Sequence, residues 1–226
     1  MTQNAQPSEK VENFLKAVYT LQHRSNDGER VSTNTLSEVL SITAPSVTDM
    51  AQRLVTAGLI DYKKYHGVML TSAGQEIALR VIRRHRLIEL YLVNELGYAL
   101  HEVHDEAERL EHAVSDRFIE ALAHKLGDPV FDPHGDPIPS AEGMLTQRDL
   151  VPLSELEPGI DTTVLQLKTE DPHMLQFVLD RGFKLGARVQ VLSRDPFDGP
   201  VTVEVDEEIR VIGANIAATI CVQAVE

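Results

Sequence analysis

TAPSVTDMAQRLVTAGLI, residues 43–60, is the stretch that decides the fold of the N-terminal region. Thr43 is a suitable N-cap, and Pro45 fits the first turn of a helix, where its missing N–H is not needed. Apolar residues then recur at helical spacing, and Gly58 follows them as a left-handed C-terminal residue would. The stretch therefore predicts a helix with one buried face and one exposed polar face.

The flanking segments predict a winged helix-turn-helix around that helix. Residues 9–24 are amphipathic at helical spacing, and Ser32 or Thr33 can cap a second, short helix. LIDYK and VMLTS, separated by KYHG, predict two strands around a tight turn. In such a unit the third helix enters the major groove of DNA. The candidate DNA contacts are Thr43, Pro45, Ser46, Thr48, Asp49, Gln52, Arg53, Lys63, Lys64 and His66. Small units of this fold also serve protein–protein contacts, which is the alternative.

A second informative pattern lies in HRLIEL, residues 85–90, and HEVHDEAERLEH, residues 101–112. Residues four apart share one face of a helix, so each segment directs imidazoles and carboxylates to one side. Nitrogen and oxygen donors of this kind are typical of a divalent-metal site. A solvated, charge-rich helical surface would have a similar sequence. The candidate ligands are His85, Glu89, His104, Glu108, Glu111 and His112.

The middle of the chain predicts two helices and a loop. The first helix begins at Thr71 or Ser72 and extends to about Asn94, and the second spans about residues 103–125. Two such helices cannot cover both of their apolar faces, so we expect a symmetric homodimer. The following GDPVFDPHGDPIPSAEG is rich in proline and glycine and predicts a loop, in which His134 is expected to be solvent-exposed.

The C-terminal region predicts a small SH3-like barrel. LSELEPG, TTVLQLK, RVQVLSR, VTVEVD and IRVIG have the length and alternation of strands, and EDPHMLQFVLDRG predicts one short helix. Cys221 falls in an apolar stretch and is expected to be a buried structural thiol. The fold class is therefore mainly α over the N-terminal two-thirds, followed by a small SH3-like β-barrel domain. The predicted domains are 1–73 for DNA binding, 74–150 for metal binding and dimerisation, and 151–226.

Composition and charge narrow the function further. The chain has no apolar run of the ~20 residues that a membrane span needs, and a single cysteine excludes a disulfide framework. MTQNAQPSEK lacks the basic and apolar segments of a secretory signal, so we expect a cytoplasmic protein without a membrane partner. The net charge of −14 divides into +2 for residues 1–90 and −16 for the rest. The N-terminal unit can therefore meet a polyanion that the acidic remainder would repel.

Six segments together give a family resemblance: FLKAVYTL, TAPSVTDMAQRLVTAGLI, YHGVMLTSAG, IRRHRLIE, VHDEAERLEHAVSD and GDPIP. Along nearly its whole length the chain resembles the diphtheria toxin repressor and manganese transport regulator family. The resemblance implies a dimer of winged-helix, helical and, in long members, SH3-like domains. It also implies that the chain binds operator DNA when Fe(II) or Mn(II) is loaded, usually as a repressor of metal-uptake genes.

The resemblance also implies two metal sites. One uses His85, Glu89 and His104, with a donor expected from the third domain among Glu170, Asp171 and His173. The family's ligands there match positions near Asp171 and Met174, so the methionine is a departure. The other site uses Glu108, Glu111 and His112, with a donor from the first helix at Asn13. Iron-type members tend to carry Met at that helix position and manganese-type members Asp.

Donor hardness predicts the metal. Glu108 stands where iron-type members carry a thiolate, and carboxylates suit Mn(II). We therefore expect Mn(II) as the effector, Fe(II) second, binding of Zn(II) and Co(II) in vitro, and no small organic ligand. By hypothesis, metal relieves repulsion among the acids and draws the first helix inward through Asn13, which sets the spacing of two recognition helices. The alternatives are a metal-blind winged-helix regulator, a non-ferritin-like di-metal enzyme and a protein-interaction module.

Overall fold

The computed structural model describes residues 7–24, 30–169 and 171–224. The chain divides into two compact units, residues 1–84 with 139–144, and residues 85–138 with 145–226. The predicted limits of three domains, at residues 73 and 150, stay a prediction. Among the described residues, no helix has the length and apolar content needed to cross a membrane.

The first unit contains the helices and the hairpin of a winged helix. Ser32 caps the second helix by accepting a hydrogen bond from Thr35 N at 3.0 Å, and Thr43 caps the third by accepting from Ser46 N at 3.4 Å. Gly58, with φ +72°, follows the end of the third helix, as expected. The elements are α1 (Glu9–Arg24), α2 (Thr33–Val39), α3 (Ala44–Thr56), β1 (Ile60–Lys63) and β2 (Gly67–Leu70).

One face of each helix in this unit forms the apolar core. Helix α3 packs against α2 and β1, which leaves its polar face to solvent. The buried side chains include Phe14, Leu15, Val18, Leu36, Val47, Ala51, Leu54, Ile60 and Val68. The helix-turn-helix and wing predicted from apolar spacing are thus present in the described residues.

The helices that follow are α4 (Ser72–Leu96), α5 (Val103–Leu110) and α6 (Asp116–Lys125). The prediction of one helix over 103–125 is wrong. The first of two helices ends at Leu110. Ser115 begins the second, because its backbone is extended (φ −81°, ψ 156°) and its hydroxyl accepts from Phe118 N at 3.2 Å. His112 therefore lies beyond the end of α5 rather than on one helical face with His104.

The C-terminal part of the second unit is rich in strands, as predicted. In the described residues these form one sheet in the order β3-β8-β4-β5-β6-β7, with every neighbouring pair antiparallel. Its strands and helices are β3 (Leu150–Pro152), β4 (Asp161–Leu167), α7 (Pro172–Asp180), β5 (Arg188–Arg194), β6 (Val201–Val205), β7 (Glu208–Ile212), α8 (Ala214–Ala217) and β8 (Ile220–Gln223). Cys221 is buried in β8, which confirms that prediction.

The prediction of a strand at LSELEPG is wrong. Residues 153–159 form a turn after β3, in which Glu155 N donates to Pro152 O at 2.9 Å. Leu153 and Leu156 are nevertheless buried in the core of the sheet, so their apolar character reflects packing rather than strand geometry. Gly159, with φ +86°, ends the turn.

The proline- and glycine-rich loop after α6 is irregular, as predicted, but it is fixed on β4. Leu167 N donates to His134 O at 2.9 Å, and Gln166 Nε2 donates to Asp136 Oδ1 at 2.7 Å. A Cβ at Gly135 would lie 2.0 Å from Leu165 O, so the backbones approach as closely there as only glycine allows. The loop is thereby held in one position.

Candidate metal centre and DNA-binding elements

Helix α4 carries His85 and Glu89 one turn apart, and both side chains are buried. Neighbouring Leu87 and Ile88 belong to the apolar core of the second unit, which fixes the helix. Burying an imidazole and a carboxylate is costly unless they find polar partners. The partners come from α5, from the segment after it, and from the loop on β4.

The first group of partners is the predicted set His85, Glu89 and His104. His85 Nε2 lies 3.0 Å from Glu89 Oε1 and 3.2 Å from His104 Nδ1. His104 Nδ1 is 3.6 Å from the same Glu89 oxygen. One ligand atom from each residue lies within 4.8 Å of the others, which is close enough for a shared cation.

The second group joins His85 to Glu108 and Glu111. His85 Nδ1 lies 2.5 Å from Glu111 Oε2 and 3.9 Å from Glu108 Oε1. Glu111 is fully buried, and its other oxygen is 3.3 Å from His112 Nε2. These two observed groups are therefore adjacent and share His85, whose two ring nitrogens face one group each, whereas the prediction placed His85 in the first set alone and His112 in the second.

A third group, which the sequence does not predict, consists of Glu89, Asp132 and His134. His134 Nδ1 lies 3.7 Å from Glu89 Oε2, and the His134 side chain is only 12% exposed. The prediction that His134 is solvent-exposed is therefore wrong. The loop holds it inward because Asp132 Oδ1 accepts from the backbone N–H groups of His134 (2.8 Å) and Asp136 (2.9 Å).

Charge is unevenly distributed over this cluster. Burial raises the pKa of the Glu89 carboxyl, but hydrogen bonds with His104 and His85 and the charges of His85 and His134 outweigh it and hold that pKa far below its usual range. Burial, with the charges of Asp136 and Glu89, raises the pKa of Asp132 well above its usual range. Arg86 lies 3.6 Å from Asp132 and only partly offsets these negative neighbours. Carboxylates whose negative charges repel one another, with imidazole nitrogens beside them, fit a divalent cation.

The predicted third-domain donors lie on or before α7. Asp171 is exposed and caps α7 by accepting from His173 N at 2.9 Å and Met174 N at 3.2 Å. His173 is also exposed, and Glu170 lies outside the described residues. Within the described ranges, neither Asp171 nor His173 joins a group of three ligand-type side chains. Their role as ligands stays a prediction.

The predicted first-helix donor, Asn13, is half-buried on α1. Its neighbour Glu12 points into the first unit, where Oε1 lies 3.4 Å from Arg84 Nη1 with both side chains buried. Glu12 is thus occupied by an ion pair, as its position on the helix indicates. Ligation by Asn13 stays a prediction.

Most of the predicted DNA contacts lie on the open side of α3 and on the wing. Thr48 is half-buried, and its hydroxyl donates to Ala44 O at 3.1 Å. Arg53 lies 3.9 Å from Asp49, a loose pair at the surface that leaves the guanidinium available. The exposed members of the set are Thr43, Pro45, Ser46, Asp49, Gln52, Arg53, Lys63, Lys64 and His66.

Family models match three consecutive parts of the chain. "Iron dependent repressor, N-terminal DNA binding domain" matches residues 7–68. "Iron dependent repressor, metal binding and dimerisation domain" matches residues 71–140, and "FeoA domain" matches residues 151–224.

A solved manganese-dependent transcriptional repressor in complex with manganese is 39% identical, with a TM-score of 0.87 over 95% of this chain and 100% of that chain. The chain belongs to the iron- and manganese-dependent repressor family. Among other members, the diphtheria toxin repressor of Corynebacterium glutamicum is 29% identical over 192 residues, 80% of this chain and 83% of that protein. The iron-dependent repressor IdeR of Mycobacterium leprae is 30% identical over 192 residues, 80% and 82% of the two chains.

Membership confirms the resemblance and the SH3-like fold of the FeoA domain. The family consists of metal-dependent, DNA-binding transcriptional repressors and not of enzymes, so the di-metal enzyme is excluded. It also excludes the metal-blind regulator. Asp132 and His134 lie within the match to the metal binding and dimerisation domain, but neither predicted site includes them. In the sequence, the only signal for them is three polar donors alternating with Pro133 and Gly135 in a loop.

Proposed function

We propose that this chain is a Mn(II)-activated repressor that binds operator DNA as a homodimer in the cytoplasm. The observation that supports it best is the pair of donor groups that share His85. Their donors are imidazole nitrogens and carboxylate oxygens, and the chain's single cysteine, Cys221, is buried in β8 and is not among them. The carboxylate oxygens suit Mn(II), and the set lacks the thiolate that would select a softer ion.

The proposed ligands are the six residues of the two predicted sets together with Asp132 and His134. They are His85, Glu89, His104, Glu108, Glu111, His112, Asp132 and His134. Asn13 of α1 completes the proposal, together with a donor from among Glu170, Asp171 and His173. A bound divalent cation would supply positive charge to carboxylates that otherwise repel one another.

The residues around the cluster position the donors. Arg86 Nη2 lies 3.6 Å from Asp136 Oδ1, and Arg86 Nη1 donates to Pro137 O, which ties the loop to α4. Asp132 directs His134 toward Glu89 through the backbone of the loop. In the proposed switch, neutralising the acids of α5 stabilises one arrangement of the dimer, in which the two α3 helices have the separation of successive major grooves.

The test is DNA binding with and without Mn(II). A pool of random duplexes, enriched on the purified chain in Mn(II), supplies the operator, and fluorescence anisotropy gives Kd at fixed salt. We expect binding to be about tenfold or more tighter in Mn(II) than in chelator, since a coupling of 1–3 kcal/mol is typical of such switches. Equal affinity in both conditions would contradict the proposal. Anaerobic titration with Fe(II) then decides between Mn(II) and Fe(II).

Matched variants on α5 connect the effect to the site. Glu108→Gln removes a carboxylate 3.9 Å from His85, whereas Glu106→Gln removes one that pairs at the surface with Arg109 at 3.3 Å. We expect Glu108→Gln, like His85→Ala, to lose the response to Mn(II) while the far-ultraviolet circular dichroism stays unchanged. Glu106→Gln should respond as wild type does. Equal responses of the two glutamine variants would place the metal elsewhere.

A further inference from the structure

The tip of the wing has an unusual backbone for the residue that it carries. Tyr65 has φ +69° between β1 and β2, a left-handed conformation that glycine and asparagine adopt far more readily than a bulky residue. The turn is closed by His66 N, which donates to Lys63 O at 2.9 Å. The aromatic side chain therefore stands where stability of the turn alone would favour glycine or asparagine.

The ring does not contribute to the packing of this unit. Tyr65 is 90% exposed, and the nearby cation is the ammonium of Lys64, 5.0 Å from the ring centroid. Exposed Lys63 and His66 flank the same turn. An exposed aromatic ring among basic side chains is typical of a surface that binds nucleic acid.

The base of the wing is fixed, which holds the tip in a defined position. Val31 pairs with Val68 through two backbone hydrogen bonds of 2.8 Å each. A Cβ at Gly67 would lie 2.2 Å from Val31 O, so this contact requires glycine. Arg30 forms an ion pair with the Asp61 carboxylate and donates to Asp61 O at 3.0 Å. A rigid base reduces the entropy lost when the tip binds.

We propose that Tyr65 contacts the backbone of duplex DNA, with its ring against a deoxyribose and its hydroxyl donating to a phosphate oxygen. This rests on the proposed function, in which α3 reads the operator. Backbone contacts hold a protein on the duplex without reading sequence. Tyr65 would therefore add affinity on any duplex and leave the choice of operator to α3.

The test is Tyr65→Asn, which suits the left-handed backbone and removes the ring. The chain offers a matched control in Phe197→Asn, because Phe197 is fully exposed with φ +61° in the turn between β5 and β6. Both variants should keep or raise the melting temperature. Tyr65→Asn should weaken binding about tenfold on both the enriched operator and a shuffled duplex. Phe197→Asn should stay within about twofold of wild type.

The salt dependence separates the ring from its charged neighbour. Tyr65→Asn should leave the slope of log K against log salt unchanged, whereas Lys64→Gln should reduce it by about one. If Tyr65→Asn binds both duplexes as tightly as wild type does, the proposal is overturned. A loss confined to the operator overturns the assignment to the backbone. Failure of the proposed function is a separate result, namely wild-type binding that ignores Mn(II), and binding to the shuffled duplex still reports on Tyr65.

Discussion

Glu89 divides its carboxylate between two groups of neighbours. One oxygen faces the imidazoles of His85 (3.0 Å) and His104 (3.6 Å), and the other faces His134 (3.7 Å). A carboxylate with imidazoles on both sides stays ionised despite burial, as the lowered pKa of Glu89 indicates. Two of the three candidate donor groups therefore share Glu89, and two share His85. A substitution in one group should therefore affect the adjacent group as well.

The buried ion pair between Glu12 and Arg84 gives a prediction about stability. Glu12→Ala removes a carboxylate 3.4 Å from a buried guanidinium, and loss of one partner from such a pair is costly. We expect the free energy of unfolding to fall by about 2 kcal/mol or more, measured by urea denaturation.

Two controls separate that ion pair from general effects on α1. Glu9→Ala removes an exposed carboxylate from the first turn of the same helix and should cost at most about 0.5 kcal/mol. Replacing Glu12 and Arg84 together by leucine should be less damaging than Glu12→Ala alone, because no buried charge is then left over. A double variant with a lower free energy of unfolding than Glu12→Ala would contradict this explanation.

Spacing along the chain reveals only some of these residues. His85 and Glu89 can be predicted to meet because one turn of helix brings them together, and Thr43 can be predicted to cap because local rules govern helix ends. Contact between Glu89 and His134 depends on how a loop folds back on β4, and no rule of spacing describes that. The sequence therefore predicts the ladder on the helices and misses the loop donors.

The ends of α5 and α6 determine the arrangement of the donors more than the apolar faces of these helices do. Apolar periodicity continues from α5 into α6, but α5 ends at Leu110. Ser115 caps a separate helix by accepting a hydrogen bond from a backbone N–H that has no partner within that helix. The break lets Glu111 face His85 while His112 contacts the other Glu111 oxygen. An unbroken helix would have aligned His112 with His104 instead.

The close contact between β4 and the loop after α6, called the clamp below, gives a prediction about stability and metal binding. Gly135→Ala should destabilise the second unit, because Gly135 has φ +88° and its Cβ would meet Leu165 O at 2.0 Å. We expect a loss of about 2 kcal/mol or more in the free energy of unfolding, and weaker Mn(II) binding by isothermal titration, since His134 is the preceding residue.

Gly127→Ala is the matched control for that change. Gly127 has φ +79° at the start of the same loop, but an added Cβ there would meet no atom within 4 Å. It should cost only the backbone strain, about 1 kcal/mol, and should leave Mn(II) binding unchanged. Equal effects of the two alanine variants would show that the clamp has no influence on the donors.

The whole molecule combines a nearly neutral DNA-binding part with an acidic remainder. Residues 1–90 carry +2 and the rest −16. A polyanion is attracted to the basic side chains of α3 and the wing and repelled elsewhere, which orients the protein on a duplex. Binding that depends on this orientation benefits from two linked copies, since the second α3 helix then meets its half-site at high effective concentration.

Exposed apolar side chains indicate where two chains would form a dimer. Large apolar side chains stay exposed near the end of α4, on α6 and in the loop: Leu96 (55%), Tyr98 (40%), Phe118 (49%) and Val130 (50%). They lie within the match to the dimerisation domain, so we expect two chains per particle by sedimentation equilibrium. Phe118→Glu should raise the dimer dissociation constant about tenfold or more and weaken operator binding in parallel. Leu192→Glu, a comparable change on strand β5, should remain dimeric, and a Phe118→Glu variant that also remains dimeric would assign the interface to another surface.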